Sequence, residues 1–154
     1  DIHNGIDSTL ILLNSKIDSE RLTIVRDYDS TIPEIECFPG QLNQVFMNII
    51  SNAIDSITGA GTITIRTVNR ESDVEVIISD TGRGMSEEVR TKIFQPFYTT
   101  KGLGEGTGLG LSITFGIIDK HKGKIAVDSA KGKGTVFTIT IPKTHQYEPV
   151  PVMS

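Results

Sequence analysis

Apolar residues at Ile2, Ile6, Leu10, Leu13 and Ile17 recur at the spacing of one helical face, so the chain opens on an amphipathic helix with Asp1 as its cap. Leu22 to Tyr28 reads as a strand, Asp29-Ser-Thr-Ile-Pro33 as a turn, and Glu34 to Cys37 as a short extended piece. Pro39 stands where a helix would start. From there to Ile57, Leu42, Val45, Phe46, Ile49, Ile50, Ala53 and Ile57 form one broad apolar stripe. Gln41, Gln44, Asn48, Asn52 and Asp55 gather on the other side. Thr62 to Val68 and Val74 to Asp80 read as strands, Ser86 to Phe94 as a short helix, and Leu111 to about His121 as another. Ile125 to Ser129 and Thr135 to Ile141 close the pattern as a hairpin, with Phe137, Ile139 and Ile141 on one face. Helices over one face of a mixed, mostly antiparallel sheet predict an α+β fold, a two-layer α/β sandwich.

Composition narrows the class. A chain of 154 residues, 37% hydrophobic and 22% charged, suits one domain, expected over residues 1–143, with 144–154 as a Pro-bearing tail. No apolar run approaches a membrane span, which predicts no direct membrane contact. The net charge of −4 argues against nucleic acid as a partner. Cys37 is the single cysteine, so neither an intrachain disulfide nor a thiolate metal cluster is available, and it is expected to be a buried spectator. The opening Asp1-Ile-His-Asn has neither the basic region nor the apolar core of a signal peptide, and the missing initiator Met fits a piece of a longer protein.

Three stretches carry chemistry. Five glycines alternate from Gly102 to Gly110, after Lys101, and run into a helix. Backbone so poor in side chains lets N–H groups approach a bound group, and at a helix N-terminus those donors and the dipole favour phosphate. Neither the P-loop nor the dinucleotide fingerprint is present, and a flexible loop is the plainer alternative. In the central helix, Asn48 and Asn52 lie four apart on one face. They form either a solvated face or a set of amides able to coordinate Mg²⁺ and donate to phosphate. Lastly, Ile77-Ile-Ser-Asp-Thr-Gly-Arg-Gly-Met85 ends a strand on Asp80 before glycines. That is an ordinary Asx turn, or a carboxylate placed to accept from an exocyclic amine such as that of adenine.

Together these stretches resemble the boxes of the catalytic and ATP-binding domain of sensor histidine kinases. Gln44-Val-Phe-Met-Asn-Ile-Ile-Ser-Asn-Ala53 is similar to the N box and Asp80-Thr-Gly-Arg-Gly84 to the first glycine box. Ile93-Phe-Gln-Pro-Phe-Tyr-Thr-Thr-Lys101 resembles the F box. Gly106-Thr-Gly-Leu-Gly-Leu-Ser112 and Gly132-Lys-Gly-Thr-Val-Phe137 resemble the later glycine boxes. The resemblance implies a Bergerat ATP-binding fold and a protein histidine kinase that binds ATP with Mg²⁺ and leaves ADP. It implies Asn52 as the metal ligand, with Asn48 beside it, and Asn48 and Lys101 as catalytic residues. It implies Asp80, aided by Gly84 and Thr135, as the reader of the adenine amine. Gly82, Met85, Gly102, Leu103, Gly104, Gly106, Thr107, Gly108, Leu109 and Gly110 complete the implied nucleotide contacts, most of them in an ATP lid. Phe94 and Phe97 are expected to anchor the lid or core rather than touch the ligand, and His121 to close its helix.

The resemblance also sets the partners. The γ-phosphoryl would go to a histidine on a dimerisation hairpin, and through it to a response regulator; the domain itself is expected to be monomeric and cytoplasmic. Water-splitting relatives carry a Glu where this chain has Asn48, so slow hydrolysis is expected. Asp55 stands where many members have a basic residue. No His-Glu acceptor motif occurs, since His3 precedes Asn4 and neither His121 nor His145 has an acidic follower, so no autophosphorylation is expected. An anti-sigma-type serine kinase, a gyrase-like ATPase module and a sensor without transfer activity remain the competing readings.

Overall fold

A computed structural model describes residues 1–14, 17, 21–35, 37–84, 110–130 and 132–143. Helix α1, Ile2–Leu12, starts where the Asp1 side chain accepts the His3 N–H at 2.8 Å. Strand β1 is Leu22–Asp27, helix α2 is Pro39–Ser56, and strands β2 and β3 are Gly61–Asn69 and Asp73–Asp80. Helix α3, Gly110–Lys120, is followed by the strands β4, Lys124–Ser129, and β5, Thr135–Pro142. The sheet order is β1-β2-β3-β5-β4. β1 runs parallel to β2, and the remaining neighbours are antiparallel. A parallel pair needs a crossover connection, which α2 supplies.

The period-two alternation of β2, β3 and β5 sends one residue in two into the core. Cross-strand register stacks these inward residues in rows. One row holds Val127, Phe137, Ile78 and Ile65; the next holds Ile125, Ile139, Val76 and Thr67. Against them pack Ile2, Ile6 and Leu10 of α1, the stripe of α2 and Ile118 of α3. The α2 stripe also includes Ile54, which is buried. The row at the end of the sheet differs: Ser129, Thr135 and Asp80 lie side by side, ending on Ile63. This row is polar where the other rows are apolar, with Asp80 and Thr135 buried.

His121 locks the helices together. It is fully buried; its Nε2 accepts the Phe38 N–H at 3.1 Å, which makes Nδ1 the protonated nitrogen that donates to Ile117 O at 2.8 Å. Phe38 begins α2 without a side-chain cap, so the ring of a residue just past α3 secures its backbone instead. His3 is placed equally firmly: its Nε2 lies 2.8 Å from Thr67 Oγ1 and its ring stacks on Tyr28 at 4.4 Å. Burial holds the His3 pKa below its ordinary value.

Some expectations require correction. The first strand stops at Asp27, one residue short of Tyr28. The described residues of the piece from Glu34 to Cys37 lie outside the sheet, so nothing there overturns the extended reading. Cys37 is half-buried on the wall of a cleft between α1 and α2, not sealed in the core. The expected helix over 86–94, with Phe94, and likewise Phe97, His145 and the tail from residue 144, lies outside the described residues.

Candidate nucleotide site

The site is built along one face of α2. Asn48, Asn52 and Ser56 are spaced by four, so they follow each other along the helix over about 12 Å. At the far end, Ser56 Oγ reaches Asp80 Oδ1 at 3.2 Å while also donating to Ala53 O at 2.8 Å. The Gly82 N–H donates to the same carboxylate oxygen at 2.8 Å. Asp80 is 9% exposed, and burial pushes its pKa above the ordinary carboxylate value. The Gly82 N–H, the Ser56 hydroxyl, the Thr135 N–H and the Arg83 charge pull the other way, stabilising the ionised form. A carboxylate kept in a nearly dry setting is a strong acceptor for an N–H donor.

The turn after Asp80 clamps α2. The Arg83 N–H donates to Ser56 O at 3.0 Å, satisfying a carbonyl at the helix end. Close approach demands glycine here. A Cβ on Gly82 would lie 2.2 Å from Ser56 Oγ, and one on Gly134, at φ +81°, would lie 2.1 Å from Asp80 O. Asp80 is therefore walled by backbone on two sides.

The other end of the face is tied to α3. Gln44 Nε2 donates to Asn48 Oδ1 at 2.8 Å, and Asn48 Nδ2 donates to Thr114 Oγ1 at 3.1 Å. Thr114 is fully buried. Asn48 thus bridges two helices, and no solvated polar face would require that. Asn52, between the two tethered ends, makes no side-chain hydrogen bond among the described residues. Its amide oxygen has the chemistry to coordinate a hard cation.

Asn48, Asn52, Asp80, Gly82, Gly84 and Thr135 fall within this one region of α2, β3 and β5. Gly110 opens α3. Met85, Lys101, Gly102, Leu103, Gly104, Gly106, Thr107, Gly108 and Leu109 lie outside the described residues. Ser56, Thr114 and Ser129 belong to the same network, yet sequence reading did not single them out. For Ser56 a signal existed, since it continues the four-residue spacing of the two asparagines.

Comparison with known proteins identifies the family. The family described as "Histidine kinase-, DNA gyrase B-, and HSP90-like ATPase" matches residues 38–145. Sporulation kinase E of Bacillus subtilis is 43% identical over 136 residues, covering 87% of this chain; the chain spans 18% of that relative's length. The catalytic domain of histidine kinase ThkA superposes with a TM-score of 0.82 at 34% identity, covering 94% of this chain and 95% of that one. ThkA in complex with the response regulator protein TrrA matches with a TM-score of 0.78 at 32% identity, covering 94% of this chain and 41% of that one. The chain belongs to this ATPase family, and within it is an ATP-binding catalytic domain of the sensor histidine kinase type.

Proposed function

We propose that this domain holds Mg-ATP with its base at Asp80 and its phosphates along α2, and passes the γ-phosphoryl to a histidine on a separate dimerisation hairpin. The observation that carries the reading is the Asn48–Asn52–Ser56 face ending on a buried aspartate. Asp80 accepts the adenine amine, with Gly84 and Thr135 beside it, and Asn52 ligates the metal. Magnesium, when bound, supplies charge neutralisation at the phosphates. In the same reading Lys101 neutralises phosphate charge, Gly102 to Leu109 serve as the ATP lid, and Met85 and Gly110 add nucleotide contacts. Phosphoryl transfer needs positioning and electrostatic stabilisation more than covalent help, which this set of amides, lysine and N–H donors provides. Asn48 is a neutral amide engaged by Gln44 and Thr114, so it takes no proton from water and hydrolysis stays slow.

The phosphorylated hairpin then serves a response regulator, a reading supported by the ThkA–TrrA complex. Among the described residues no helix is long and apolar enough to cross a membrane. The domain works in the cytoplasm, where ATP is available. Titration with ATP and ADP, with and without Mg²⁺, tests the site. Native protein is expected to bind ATP about tenfold tighter with Mg²⁺, and Asn52→Ala to lose that gain. Labelled ATP should mark an added hairpin histidine and leave the chain alone unmarked; label on His3 would overturn the reading.

A further inference from the structure

The end row of the sheet contains a proton count with a consequence for base selectivity. Ser129 Oγ lies 2.9 Å from Gly134 O and 2.9 Å from Thr135 Oγ1. A hydroxyl has one proton, and a carbonyl can only accept. Ser129 therefore donates to Gly134 O, and the bond between the two hydroxyls must be donated by Thr135. That places the Thr135 proton toward β4, away from Asp80. Thr135 is 5% exposed and its strand register sets it beside Asp80. Its oxygen thus presents lone pairs next to a carboxylate.

We infer that Ser129 is a positioning residue for the nucleotide base. By taking up the Thr135 proton, it makes the whole Asp80–Thr135 edge an acceptor surface. This rests on the proposed placement of the base at Asp80. With Asp80 and Thr135 both at the exocyclic position of the base, adenine offers them an N–H donor and hypoxanthine a carbonyl oxygen, so lone pairs would face lone pairs; the donor sense reverses only at N1, which this placement sets beyond the pair. Without Ser129, the Thr135 hydroxyl is free to turn and donate to the carbonyl.

The test is the ratio of inosine triphosphate to adenosine triphosphate dissociation constants, with Mg²⁺. Ser129→Ala should lower that ratio about 3- to 10-fold, the size of one neutral hydrogen bond, while Ser129→Thr keeps it within about twofold of native. An unchanged ratio in a Ser129→Ala protein that melts cooperatively overturns the inference, as does an equal fall in Ser129→Thr. Should Ser129→Ala not fold, Ser129→Cys, with its weak donor, replaces it under the same two criteria. Thr135→Val supplies a second arm: adding Ser129→Ala to it should leave the ratio unmoved, and a further fall counts against action through Thr135. A native chain with no preference for adenosine triphosphate would instead sink the placement of the base.

Discussion

Under the proposed function, Asp80 is asked to do two opposed things. Binding an amine requires the ionised carboxylate, but burial favours the protonated one and raises its pKa. A native group that holds its proton more tightly than the unfolded chain stabilises the fold most below the ordinary carboxylate pKa. That contribution is lost as pH rises through the folded value. Asp80→Asn removes the titration. Its stability relative to native should therefore grow across that window and then level off, measured by urea unfolding at a series of pH values. Its ATP affinity should fall about 10- to 100-fold, as expected for one hydrogen bond to a charged group, measured by calorimetry. In native protein, ATP affinity should weaken as acid protonates Asp80. Cys37, by contrast, plays no part in this network, and its thiol pKa is raised by burial.

At the scale of elements, the site depends on a turn held against a helix end and on two strands held in register. Gly134 is the tightest point, at φ +81° with Asp80 O 2.1 Å from where a Cβ would stand. Gly134→Ala combines a left-handed backbone with a backbone clash, so it should cost about 3 kcal/mol and weaken ATP binding as β5 shifts from β3. Chemical denaturation and nucleotide titration of the same preparation check both. Thr114 plays the corresponding role at the other end, where α3 meets Asn48. Helix α3, opening at Gly110, thus carries a buried hydroxyl bonded to the asparagine face of α2.

Taken whole, the molecule shows a helical layer with polar chemistry at one end and apolar side chains exposed beside it. Ile113 and Phe115 of α3 are 44% and 50% exposed. They flank buried Thr114 on the two sides of α3, and under the proposed function a hairpin docking over this helix is expected to meet them. Ile113→Ser combined with Phe115→Ser should leave ATP affinity within about twofold and lower the transfer rate to added hairpin about tenfold at subsaturating hairpin. Equal rates for variant and native would exclude that surface. What sequence alone determined was whatever depends on near neighbours along the chain. Helix α2 and its apolar stripe, the Asp1 cap, the alternation of β2, β3 and β5, and the box motifs are all local signals of period or composition. What tertiary structure decided is non-local. The row of Ser129, Thr135 and Asp80, the Ser56–Asp80 and Asn48–Thr114 bonds, and the His121 lock each join residues far apart in sequence. Periodicity says which face a residue occupies, but only strand register and helix packing say which distant partner meets it there.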